Sequence, residues 1–134
     1  MLGVDTNVLV RFLAEDDPLQ TPQAVQALKA ASNQPIYVGR IVAVETFWVL
    51  TKVKRFPRHA VIDAFRGLFA SADFKIEGER LMGRALDDCE RIGCDFADAL
   101  IALENAQAGC EATVTFDVDA VALDGMIHLT SRLP

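Results

Sequence analysis

The chain has no uninterrupted apolar run long enough to span a bilayer, and no charged segment leads into an apolar one at its start. These absences argue against a membrane-spanning helix and a secretory signal, so a cytoplasmic protein with no membrane partner is the expectation. Histidine is scarce, and His59 and His128 stand far apart in sequence. The cysteines, Cys89, Cys94 and Cys110, are odd in number and form no C-x-x-C pair. A structural zinc site is therefore not indicated, and reduced, mostly packed thiols are expected. Basic residues are outnumbered: 13 Lys and Arg against 19 Asp and Glu give a net charge of −6, which by itself speaks against a phosphate-rich partner. Bound divalent cations, or basic residues gathered on one face, would reverse that reading. No repeat, linker or low-complexity tract divides the 134 residues, so a single domain over 1–134 is expected. At that length it buries roughly two thirds of its unfolded surface, enough for a real core.

What the chain does have begins with Leu2 to Leu13. A very short apolar run meets Asp5, after which Val8, Leu9, Phe12 and Leu13 recur at helical spacing. Asp5 thus stands where a buried strand hands over to a helix, and strand-end carboxylates in an open α/β sheet face the crevice where ligands bind. Asp17, Pro18 and Gln20 read as the cap and first turn of a second helix, with Thr21 and Pro22 as an alternative start. Val25, Leu28 and Ala31 supply its apolar side, and it fades at Ser32 and Asn33. Ile36 to Val38 is a brief strand. From Ile41 to Lys54 the residues Ile41, Val44, Trp48, Val49 and Val53 keep a helical stripe into which Glu45 falls. An ionised carboxylate on such a buried face costs several kcal/mol unless compensated, which marks Glu45 as a candidate.

The basic run Lys52, Lys54, Arg55, Arg58 and His59 follows, with Pro57 at a first-turn position. The next helix carries Val61, Ile62, Phe65, Leu68 and Phe69 on one side. Asp73 to Ile76 is a strand candidate, and Leu81, Met82, Ala85, Leu86, Cys89 and Ile92 make an amphipathic helix stopped at Gly93. Cys94 to Gly109 is apolar around nearly its whole circumference, which places it at the centre of the fold. Ala112 to Phe116 is a β-branched run, followed by Asp117-Val118-Asp119, a short turn and a last strand near Ile127 to Thr130. This order of strands and helices indicates an α/β protein with a mostly parallel sheet.

Four acids interrupt apolar surroundings: Asp5, Glu45, Asp98 and Asp117. Each has a plain alternative. Asp5 or Thr6 suits a helix cap, Asp98 favours the dipole of its helix with Asp95 as the cap, and Asp117 and Asp119 suit a turn. Converging carboxylates repel, and a hard divalent cation with oxygen ligands is the usual remedy. Mg²⁺ or Mn²⁺ in such a site keeps positions open for a phosphate oxygen and an attacking water.

The segments Val-Asp-Thr-Asn-Val-Leu at 4 to 9, Val-Glu-Thr-Phe-Trp-Val-Leu at 44 to 50, Phe-Ala-Asp-Ala-Leu-Ile-Ala at 96 to 102 and Thr-Phe-Asp at 115 to 117 together resemble a PIN domain of the VapC toxin type. The resemblance implies a three-layer α/β/α fold around a mostly parallel central sheet of four or five strands. It implies an endoribonuclease using Mg²⁺ or Mn²⁺, a partner antitoxin of the VapB kind, a homodimer, and cleavage leaving a 5′-phosphate and a 3′-hydroxyl. Carried over by position, Asp5, Glu45, Asp98 and Asp117 match the metal-binding acids, Thr6 and Asn7 the polar positions beside the first, and Thr115 the hydroxyl near the last. The family varies at Asp95 and Asp119, and Asp95 is either a supporting group or only the helix cap. With no histidine in a matching segment, a metal-free route through the 2′-hydroxyl is not expected.

Lys52, Lys54, Arg55 and Arg58 are the candidate RNA-facing residues, with a solvated helix end as the alternative. The stripe from Val61 to Phe69, or part of it with Trp48, is either core or a dimer or antitoxin contact. A dehalogenase-type phosphatase would need an acid where Asn7 stands, and a receiver domain an acid pair after the first strand. A non-catalytic binding module of the same fold would be free to lose the acids, and none of the four is missing.

Overall fold

The computed structural model describes residues 1–15, 19–30 and 33–134. The cap read at Asp17 and Pro18, the contribution of Ala31 and the helix end at Ser32 fall outside the described residues. The chain divides into two compact units, Met1–Glu79 and Arg80–Pro134.

In the first unit, β1 (Leu2–Gly3) runs parallel to β2 (Ile36–Val38), which runs parallel to β3 (Phe74–Ile76), in the order β1-β2-β3. Parallel neighbours need a crossover between them, and helices supply it. They are α1 (Thr6–Ala14) and α2 (Gln20–Ala30) before β2, then α3 (Arg40–Trp48) and α4 (Arg58–Ala70) before β3. α1 starts because the extended backbone of Asp5 turns its carboxylate onto the Val8 amide, and it ends where Glu15 enters the left-handed region at φ 52°. Leu9 and Val10 of α1, Ile36 and Val38 of β2, and Phe47, Val61, Ile62 and Phe65 of the later helices are buried. Phe47 meets Phe65 edge-to-face with ring centroids 5.4 Å apart, an arrangement that adds to simple burial.

The helix expected over 41–54 is two pieces, and its buried face is not the expected one. α3 buries Ala43, Thr46 and Phe47, whereas Ile41 is 72% and Trp48 57% exposed and Glu45 is exposed. This segment carries two apolar stripes at helical spacing, and periodicity has no means of choosing between them. After Trp48 the helix widens into a π turn over Val49–Val53, with the Lys54 amide reaching back to the Val49 carbonyl at 2.9 Å. The chain leaves it through Arg55, a non-glycine residue at φ 61°. Pro57 stands at the cap of α4, one residue earlier than expected, with Arg58 as the first helical residue.

In the second unit, α5 (Glu79–Ile92, beginning at the boundary) and α6 (Phe96–Gln107) precede a parallel pair, β4 (Thr113–Thr115) and β5 (Met126–His128), joined through a 3₁₀ turn at Asp119–Ala122. Met82, Ala85, Leu86 and Cys89 of α5 and Phe96, Ala99 and Leu100 of α6 are buried. α6 is not covered all round, since Ile101 is 45% exposed. Gly93 and Gly109 close the two helices as expected. Each takes a positive φ, 80° and 96°, that an L side chain resists, and the Gly93 amide satisfies the Cys89 carbonyl at 2.9 Å.

All three cysteines are free; Cys89 and Cys94 are buried and Cys110 is exposed. The fold class is α/β with parallel strands, as the pattern predicted. The five strands form a three-stranded and a two-stranded sheet rather than one continuous ladder among the described residues, each strand being two or three residues long. No described helix is long and apolar enough to cross a membrane.

Candidate metal centre

Asp5 sits at the turn from β1 into α1, exposed, with Oδ1 accepting a hydrogen bond from the Val8 amide at 3.0 Å. The capping alternative is thus realised, and it occupies one carboxylate oxygen only. The same residue lines a cavity of about 260 Å³ together with Asn7, Arg11, Gln20 and Gln23. Arg11 is fixed there: its Nε donates to Gln20 Oε1 at 2.6 Å, and the Thr21 hydroxyl donates to its carbonyl at 3.3 Å. Thr6 is half-buried and opens α1. Sequence reading overlooked Arg11, yet a signal was present, because it is the one charged residue in α1.

Glu45, also in the first unit, lies on the solvent side of α3, so the cost of burying its charge does not arise. That corrects the reason for singling it out. The polar group that α3 does bury is its neighbour Thr46, which is fully buried, its hydroxyl finding no hydrogen-bond partner among the described residues.

The second unit brings several predicted residues together. Asp95 occupies the N-cap of α6, without a capping hydrogen bond from its side chain, and Asp98 lies half-buried in the first turn. Asp117 follows β4 and is exposed. Its amide donates to Thr115 Oγ1 at 3.0 Å, and its Oδ1 accepts from the Asp119 amide at 2.9 Å, so the expected turn geometry is present and the carboxylate is held in one orientation. The Asp98 carboxyl is held above its ordinary 3.8, first by burial and then by the negative charges of Asp95 and Asp117. Asp117, from a later strand end, therefore shares one electrostatic environment with Asp95 and Asp98.

His128, set aside on sequence distance, belongs to the same region. It stands opposite Thr115 in the β4–β5 register, with Nε2 3.2 Å from the Phe116 carbonyl and Nδ1 2.6 Å from Thr130 Oγ1. Only the pairing of the two strands reveals this.

The basic run spans the π turn and the start of α4. Lys52, Arg55 and His59 are exposed, and Lys54 and Arg58 are half-buried. Among the described residues no three His, Cys, Asp or Glu side chains are arranged to hold one metal ion. The chemistry of Asp95, Asp98 and Asp117 nevertheless suits a hard cation. The donors are all oxygen, and the mutual repulsion that raises the proton affinity of Asp98 is relieved equally by a divalent ion.

The chain matches the PIN domain family over residues 3–126. No curated protein matches it.

Proposed function

Because the chain belongs to the PIN domain family, whose fold is the three-layer α/β/α arrangement, we propose that it is a metal-dependent endoribonuclease and the toxin of a type II toxin–antitoxin pair. PIN domains are generally nucleases and generally use divalent metal ions. The observation that carries the reading is the family match over residues 3–126, which spans all four acids, with Asp98 also feeling the charges of Asp95 and Asp117. A half-buried acid beside two others is costly to maintain, and perturbed acids of this kind gather at functional sites.

Asp5 and Glu45 of the first unit and Asp98 and Asp117 of the second are each proposed as metal ligands. Asp5 and Asp117 each have one oxygen committed to a backbone amide, which fixes the carboxylate and leaves the other oxygen for a ligand. Thr115 acts through Asp117 by holding its amide, and Asn7 brings a side-chain amide to the cavity beside Asp5. Asp95 is a supporting residue at the cap of the same helix, its negative charge adding to the demand for a cation at Asp98. Bound Mg²⁺ or Mn²⁺ supplies charge neutralisation at the phosphate and a water acidic enough to attack it. The exposed Lys52 and Arg55, with Lys54 and Arg58, give a net-negative chain a cationic face toward RNA. The apolar side chains left in solvent on α3, Ile41 and Trp48, support association with a second copy or with an antitoxin.

The test is incubation of the purified, antitoxin-free protein with total RNA, in Mg²⁺ and in chelator, beside Asp5→Ala. Cleavage is expected only for the unaltered chain with metal. Equal cleavage in every arm assigns the activity to a contaminant. Metal binding without any cleavage favours a non-catalytic binding module.

A further inference from the structure

We propose that the cleft between α5 and α6 is a phosphate-binding site for a bound RNA strand, additional to the metal-binding acids and formed by Arg80, Arg84 and Gln107. The inference rests on the ribonuclease reading above.

Arg80 and Arg84 lie one turn apart on α5 and therefore on one face, a spacing at which like charges work against the helix. Both are exposed, and among the described residues neither guanidinium has an ion pair or hydrogen bond. Asp87 and Asp88 both lie one turn beyond Arg84, and the Asp88 carboxylate goes to Arg91 at 3.1 Å. In a chain with more acids than bases, two adjacent cations left without partners mark a place where an anion is expected.

The cleft they line has a volume of about 430 Å³, and Leu81, Leu103, Ala106 and Gln107 complete it. That volume is in the range of small-ligand sites, which combine apolar walls with a few placed polar groups. Planar guanidiniums match phosphate oxygens with paired hydrogen bonds. The Gln107 amide offers both a donor and an acceptor. Leu81, Leu103 and Ala106 provide an apolar bed for the sugar or base attached to that phosphate. Paired guanidiniums match the phosphate and the apolar wall the sugar or base, so a nucleotide unit of RNA is the proposed occupant.

The test measures binding without turnover. A fluorescent 2′-O-methyl RNA of about 12 nucleotides is titrated in chelator against the full chain, Arg80→Gln/Arg84→Gln and Arg80→Lys/Arg84→Lys, across a range of salt. The glutamine pair is expected to weaken binding at least about tenfold and to lower the salt slope by roughly 1.4, the loss of two phosphate contacts on a single strand. The lysine pair is expected to keep most of the slope and lose part of the affinity. Inorganic phosphate and a nucleoside 5′-monophosphate serve as competitors. Displacement of the RNA by the nucleotide and more weakly by phosphate supports the site. Binding of phosphate alone, with no RNA bound at this cleft, overturns it.

An unchanged affinity and slope in the glutamine pair also overturns the site while leaving Mg²⁺-dependent cleavage to stand. Failure of the unaltered chain both to bind this RNA and to cleave total RNA overturns the two together. Melting curves of all three proteins confirm that the exposed substitutions leave the fold in place.

Discussion

The perturbation of the Asp98 carboxyl originates in placement rather than in residue type. Half-buried in the first turn of α6, it loses solvation and faces Asp95 and Asp117, so its carboxyl is held above 3.8. Between 3.8 and that raised value the folded chain binds more protons than the unfolded one, so stability falls as pH rises through the window and levels off above it. Asp98→Asn removes the penalty. In chelator, its Tm at pH 7 is expected to exceed that of the unaltered chain, with the gap closing as the pH approaches 3.8. A gap that is absent at pH 7, or that does not change with pH, would contradict this account. Thr46 is the opposite kind of residue: its fully buried hydroxyl has no partner among the described residues, so it detracts from stability without titrating.

At the scale of elements, the segment from Val49 to Arg58 departs from regular structure. A π turn, a left-handed Arg55 and the cap of α4 follow in succession, and the basic side chains sit on them. A non-glycine residue at φ 61° costs about 1 kcal/mol relative to glycine, and such strain persists where a side chain is needed. Arg55→Gly is therefore expected to stabilise the protein by about 1 kcal/mol in denaturant titrations while weakening RNA binding. A gain in stability with undiminished RNA affinity would mean that Arg55 only turns the chain. The π turn has no counterpart in the sequence signal, because Ile41 to Lys54 keeps an apolar period that is equally compatible with one continuous helix.

At the scale of the whole molecule, the net charge of −6 and the cationic run have to be considered together. The balance keeps the chain away from indiscriminate phosphate binding, while the local run and the arginine pair on α5 retain the means for it. The exposed side of α3 raises a second question of assembly. Trp48, 57% exposed, is expected to lie in a contact between two copies. Trp48→Glu should convert a dimer to a monomer in light scattering at micromolar concentration, with little change in melting temperature. A chain that is already monomeric, or a variant that still pairs, would remove Trp48 from any such contact.

The sequence by itself determined the order of elements, the parallel character of the strands, the glycine stops of α5 and α6, and the acids worth testing. These follow from local rules: apolar period, turn chemistry and the position of a charge relative to a strand end. Tertiary structure decided which of two apolar stripes on α3 faces inward, and so moved Glu45 into solvent and Thr46 into the core. It also decided that Asp95, Asp98 and Asp117 feel one another, and that His128 lies opposite Thr115. Period alone is blind to such facts, because a helix with two apolar faces has two equally good local solutions, and only the packing of the rest of the chain against one of them makes the choice.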